Sequence, residues 1–354
     1  MTINTITGTE DFIEHLRGKT ATFLLSMSTT NTCNIEGITQ AGLPGLLHLT
    51  PTLDAEFLSI QRVRSLEEIA VTPKGVPTPA LITRAVHLKA PFKNIEFLNL
   101  GVDNLPKISN FKIHNFDIKP SEAIDKGANI DALEIFQKGV EFGKSYQPTT
   151  DYIILGESVP AGTTTAQATA KALGYNVDGK FSSSFKDVPS DIKSATIKLA
   201  LSNIQEDDDL FKIIGKVSDN MLIFNAGFLL GSSYNHTKVL LAGGTQMASV
   251  LLLVNSIVKY MDGEFDSSNI ALCTTSWVAD DKNSDIKGLL EMLDFDINAY
   301  NSTFNFSTSS HPALALYEQG EAKEGVGAGG ALVYGSLNGL DTNTIVSTVE
   351  KFLG

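Results

Sequence analysis

Hydrophobic positions in this chain fall into short dense runs, each followed by small and polar residues and then by a segment with helical spacing. The runs at 20–27 (TATFLLSM), 95–100 (IEFLNL), 151–155 (DYIIL), 239–242 (VLLA) and 270–273 (IALC) read as strands covered on both faces. Helices are predicted over 9–17, 80–88, 130–144, 166–173, 193–201, 246–258, 313–319 and 342–352, with a strongly apolar one over 219–231. Strand, turn and helix in repetition predict an α/β fold with a parallel sheet flanked by helices.

In such sheets ligands bind at the C-terminal strand ends, where this chain places its polar clusters. Residues 28–34 (STTNTCN) form a hydroxyl- and amide-rich loop after the first strand, which also reads as an ordinary loop before a helix cap. Residues 156–165 (GESVPAGTTT) set a carboxylate, a glycine and three threonines at a helix start, where free backbone N–H groups favour an anion. Gly243-Gly244-Thr245 and Thr274-Thr275-Ser276 repeat the pattern, so several strands deliver polar groups to one edge. Lys193, in the first turn of its helix, opposes the helix dipole and is either a phosphate anchor or a solvated cation. Residues 323–332 (KEGVGAGGAL) place one carboxylate, Glu324, ahead of a glycine-rich run. That stretch reads as a general base at the mouth of a helix starting near Gly327, or as a glycine-rich helix start with a surface glutamate.

Composition narrows the partners. With 354 residues, 42% hydrophobic and 19% charged, the chain has material for one large domain, or one with a satellite. A net charge of −13 argues against nucleic acid and anionic membrane surfaces. Cys33 and Cys273 lie far apart without a CxxC, no histidine pattern suits a metal or a nucleophile, and His311 reads as a capping or loop residue, so neither a disulfide framework nor a zinc site is indicated. The polar N-terminus and the lack of a membrane-length apolar run point to a cytoplasmic protein. GxxxxGK[ST] is absent, and no GxGxxG follows the first strand, which argues against a P-loop and against a Rossmann oxidoreductase.

The ordered series GESVPAGTTTA (156–166), PSDIKSATIKLA (189–200), NMLIFNAGFLLG (220–231), VLLAGGTQMASVL (239–251) and KEGVGAGGAL (323–332) resembles the nicotinate-nucleotide:dimethylbenzimidazole phosphoribosyltransferases of cobalamin biosynthesis. The segments TTNTCNIEGITQAG, TPTLDAEF and TPKGVPTPALITRA are similar to that family's divergent branch in archaea and cyanobacteria. The resemblance implies a pentosyltransferase with a large Rossmann-like domain over 20–332, a small helical domain from 1–19 and 333–354, and a homodimer. It implies transfer of 5-phosphoribosyl from nicotinate mononucleotide to a lower-ligand base, benzimidazole or adenine. Inversion would give an α-riboside 5'-phosphate and nicotinate, with no cofactor and no metal. By the same resemblance Glu324 is catalytic, and Lys193, Glu157, Gly162, Thr163, Thr164, Gly243, Gly244, Thr275 and Ser276 hold phosphate and ribose. Thr29, Thr30, Asn31, Ala322 and Gly325 are the implied base contacts. The chain departs from the family pattern at Pro160 and Ala161 in the glycine-rich loop, and at Ala242, where the family has an aspartate. A non-catalytic nucleotide sensor using the same crevice is the competing reading.

Overall fold

The computed structural model describes every residue from Met1 to Gly354. Its strands are β1 (Ile3–Thr7), β2 (Ala21–Met27), β3 (Asn94–Asn99), β4 (Lys112–Asn115), β5 (Tyr152–Ser158), β6 (Val239–Ala242), β7 (Ile270–Thr275) and β8 (Asn298–Ser302). They form one sheet in the order β1-β8-β7-β6-β5-β2-β3-β4, parallel throughout except for β1 against β8. The α/β sheet expected from the alternating runs is therefore present. Ile154 faces one core while Ile153 and Leu155 face the other, which is why the central strands are apolar at every position.

One face carries the helices Thr50–Ile60, Ala80–Lys89, Ala328–Leu337 and Thr342–Leu353. The other carries Ala132–Ser145, Gly162–Ala172, Asn220–Ser233 and Thr245–Tyr260. The chain lays down β2, β3 and β4 outward, then returns to place β5 on the opposite side of β2. Connections diverge there, opening a crevice beyond the strand ends.

Residues 1–19, expected in a helical unit, supply a strand and one short helix, Glu10–Glu14. The β-branched run INTIT favours extended backbone, and pairing Ile3 with Ser302 covers the free edge of β8. Residues 333–354 are helical, and Val333, Leu337, Ile345 and Val349 share a core with Phe23 and Ile154. The helix Ala328–Leu337 carries no charge and is buried along its whole length. A Cβ at Gly330 would stand 2.4 Å from the Ala242 Cβ, so a larger residue at either position would lift this helix off β6. The alanine at 242 has a steric reason.

Glycines also set the distance between the helices Ala132–Ser145 and Asn220–Ser233. A Cβ on Gly139 would lie 2.2 Å from the Phe224 carbonyl oxygen, and one on Gly227 would lie 2.2 Å from that of Phe136. Backbone cannot yield as a flexible side chain does. Gly227→Ala is therefore expected to lower the unfolding free energy in a urea titration by about 1–3 kcal/mol, despite alanine's better helix propensity. An unchanged midpoint would contradict this packing.

Candidate active site

Glu324 is half-buried between the end of β7 and the start of the helix Ala328–Leu337. Gly325, Val326 and Gly327 all take positive φ, at 147°, 53° and 66°, so the chain doubles back and turns the first helical amides onto the Glu324 side chain. Val326 is held in this conformation from both sides. Its amide donates to the Glu157 carbonyl at 2.8 Å, and its carbonyl accepts from the Thr83 hydroxyl at 2.8 Å. Oε1 of Glu324 accepts from the amides of Gly325 and Gly329, each at 3.1 Å. Oε2 accepts from the Thr275 amide at 3.0 Å and the Thr274 hydroxyl at 3.4 Å. Burial outweighs these bonds and raises the pKa to about 7. The result is an oriented carboxylate that exchanges a proton near neutrality.

Glu157, at the end of β5, is buried beside it. Its pKa rises to about 8, first through burial and then through the charges of Glu324, Asp219 and Asp54. Asp219 caps the helix Asn220–Ser233 through the Leu222 amide and accepts from the Thr165 hydroxyl at 2.5 Å.

Across from these acids, Lys193 is only 2% exposed. Its Nζ donates to the Thr163 hydroxyl at 3.0 Å and the Ser182 carbonyl at 3.4 Å, neither of which supplies a countercharge. Burial, and then the neighbouring Lys323, lower its pKa to about 7. Lys323 itself is buried and paired with Asp281 at 2.8 Å. Two helices, Gly162–Ala172 and Thr245–Tyr260, begin beside this pair of cations. Ala161 takes φ 65° just before the first of them, giving the sharp turn that the departure from a glycine-rich loop left open.

Glu324, Glu157 and Lys323 line one cleft. Ala70, Val71, Val76, Pro79 and Val326 form an apolar half, while Gly162, Thr163, Ser182, Gly244 and Thr245 form a polar half with Lys193 behind it. Glu324 and Glu157 lie on the lining of the same cleft. Of the residues expected from sequence, the cleft brings together Glu324, Glu157, Gly162, Thr163, Gly244, Ala322 and Gly325, with Lys193 in contact through Thr163. Gly243 lies just behind the wall, and Thr275 acts on Glu324 through its amide while its hydroxyl donates to the Lys323 carbonyl. Thr164 points into the interior, its hydroxyl without a partner. Ser276 donates to the Phe304 carbonyl, away from the cleft.

Thr29, Thr30 and Asn31 do not line the cleft. The Thr29 amide donates to the Gly101 carbonyl at 2.7 Å, Thr30 bridges to Ser121, and Asn31 donates to Glu122 at 3.1 Å. This loop is drawn toward the connections flanking β4. Sequence reasoning missed Asp54, Thr78 and Ser158, which meet in the lining. An acid among Leu53, Ala55 and Phe57 in a helix buried along most of its length was the available signal for Asp54.

The fold is that of an open, doubly wound α/β protein with a cleft at its switch point. The same fold occurs in the crystal structure of CobT from Thermus thermophilus, with a TM-score of 0.58 and 14% identity, covering 94% of this chain and 84% of that one. It also occurs in a crystal structure of nicotinate-nucleotide-dimethylbenzimidazole phosphoribosyltransferase from the same organism, with TM-score 0.56, 14% identity and coverages of 94% and 83%. No protein-family model matches the chain. In sequence it is 35% identical over 354 residues to a UPF0284 protein of Saccharolobus islandicus strain L.S.2.15, covering 98% of this chain and 95% of that one. It is 36% identical over 336 residues to a UPF0284 protein of Saccharolobus solfataricus, with coverages of 93% and 91%. The chain belongs to the UPF0284 family. No helix is long and apolar enough to cross a membrane.

The acids of the cleft make stability depend on pH. Because the native pKa of Glu157, about 8, lies above its ordinary 4.5, the folded state holds this proton more tightly than the unfolded chain. That stabilisation is complete below the ordinary value and is lost as pH rises through about 8. Glu157→Gln should thus gain on the wild type in paired thermal melts taken at about pH 5 and about pH 8.5. A pH-independent gap between the two would contradict the assignment.

Proposed function

We propose that the cleft transfers the 5-phosphoribosyl group of nicotinate mononucleotide to a lower-ligand base, giving an α-riboside 5'-phosphate and nicotinate for cobamide assembly. The observation that carries this reading is the amide-held Glu324, sited where the apolar and cationic halves of one cleft meet. The shared fold with a phosphoribosyltransferase of this type supports it.

The polar half suits the donor phosphate. Lys193, still without a countercharge, and the starts of the helices Gly162–Ala172 and Thr245–Tyr260 supply positive potential there. Phosphate binding would raise the lysine pKa from about 7 and hold it charged. Glu157, mostly protonated at neutral pH with its pKa at about 8, holds the ribose hydroxyls by hydrogen bonds. The bond electrons pass to the pyridinium nitrogen, so nicotinate leaves without needing a proton. A flat base in the apolar half attacks the ribose carbon from the opposite face through one ring nitrogen. Its other ring nitrogen gives its proton to Glu324. No step calls for a metal or a cofactor. As in other members of the resembling family, we expect a cytoplasmic homodimer.

Wild-type protein incubated with nicotinate mononucleotide and a base should release nicotinate, whereas a sensor would bind the donor and leave it intact. Glu324→Gln should lower kcat by about 10²- to 10⁴-fold with base still bound, and wild-type kcat should rise with pH through the region near 7 where Glu324 ionises. Lys193→Met should raise KM for the donor by about 10- to 100-fold with a smaller change in kcat. Wild-type turnover by Glu324→Gln would remove the general-base role.

A further inference from the structure

One buried acid of the cleft takes no part in the transfer chemistry. Asp54 lies on the helix Thr50–Ile60, 3% exposed, with no cation paired to it. Its Oδ1 accepts from the Thr78 hydroxyl at 2.6 Å and its Oδ2 from the Ser158 hydroxyl at 2.7 Å. All three residues line the cleft. Thr78 lies next to Pro79, which packs against Gly325, so the cluster belongs to the apolar half beside Glu324.

The direction of these bonds matters. Burial raises the Asp54 pKa to about 6, which leaves it ionised at neutral pH and able only to accept. Both hydroxyl protons are therefore spent on the carboxylate. The Thr78 oxygen also accepts from the Ala80 amide at 3.2 Å. What remains for a ligand is the pair of acceptor sites on the Ser158 oxygen and a single one on the Thr78 oxygen. A methyl-bearing ring edge would cover them and leave them unpaired, whereas an amine would satisfy them.

We infer that Asp54, by fixing the Ser158 hydroxyl as an acceptor, selects a heteroaromatic base that carries an exocyclic amine. The inference rests on the transfer reading above, deepening it by naming the class of acceptor. Ser158 is the residue that touches the base, and Asp54 is a positioning residue that acts through it.

The test compares adenine, purine and 5,6-dimethylbenzimidazole as separate acceptors, each with saturating nicotinate mononucleotide, and reads the ratios of kcat/KM. Wild type should prefer adenine to purine by about tenfold or more, and adenine to 5,6-dimethylbenzimidazole by at least as much. Ser158→Ala should bring the adenine-to-purine ratio toward one. Asp54→Asn should lower it too, because an amide in place of the carboxylate can donate to Ser158 and turn its proton toward the cleft. A merely structural Asp54 would change all three rates together and leave the ratios in place. A wild-type ratio at or below one, or an unchanged ratio in Ser158→Ala, would overturn the inference. Should no base release nicotinate, the transfer reading fails by itself, and calorimetric titration of wild type and Ser158→Ala with adenine and purine decides the selector. Tighter adenine binding that is lost in the variant supports it, and equal or absent binding of the two bases overturns it.

Discussion

A carboxylate held by backbone amides from two different elements fixes the geometry of this cleft. Glu324 joins the Thr275 amide at the end of β7 to the Gly329 amide in the first turn of a wholly buried helix. Hydrogen bonds to a charged group are each worth about 1.5–3 kcal/mol, and the positive end of the helix adds to them. Even so, the pKa is raised to about 7 and not lowered, so desolvation exceeds what the donors return. The structure retains an acid that is rigidly aimed yet easily protonated. Gly325, Gly327 and Gly329 all serve that placement. The first two supply positive φ, and a Cβ at Gly329 would stand 2.3 Å from the Thr274 backbone and 2.7 Å from Glu324 Oε2.

Charge is then sorted along the cleft. Glu157, Glu324, Asp54 and Asp219 gather at the strand ends, and their mutual repulsion contributes to the raised pKa of Glu157. Lys193 and Lys323 lie close enough together that Lys323 contributes to the lowered pKa of Lys193. Neither arrangement favours stability by itself, since buried charge without full compensation is costly. The cations suit an anionic group on a ligand, and the acids with raised pKa suit a partner that shares or exchanges a proton. The apolar walls complete a site with three chemically distinct portions.

Much of this was legible in the chain because strands covered on both faces leave continuous apolar runs. The runs ending at Met27, Leu155, Ala242 and Cys273 are the central strands. The outer strands were not legible: β1 and β4, at the two edges, and β8, next to β1, are short and mix polar with apolar residues. Glu324, Glu157 and Lys193 stood out because a charged group beside glycines or at the wrong end of a helix conflicts with local preference. Asp54 did not, for an acid in a helix conflicts with nothing until the burial of Leu53, Ala55 and Phe57 around it is known. Thr29 to Asn31 occupied the expected position after a strand, yet the bridge from Thr30 to Ser121 turns that loop away from the cleft. Thr275, expected at the phosphate, donates its amide to Glu324.

In the proposed reaction an oriented acid, an anion site and an apolar wall cooperate in one displacement at a ribose carbon. The most direct measurement is proton NMR of the products from wild-type protein, nicotinate mononucleotide and adenine, following the anomeric proton together with free nicotinate. Equal amounts of nicotinate and a riboside phosphate, with only the α anomer formed, are expected. A β-configured product, or nicotinate released without a matching riboside, would contradict the proposed reaction.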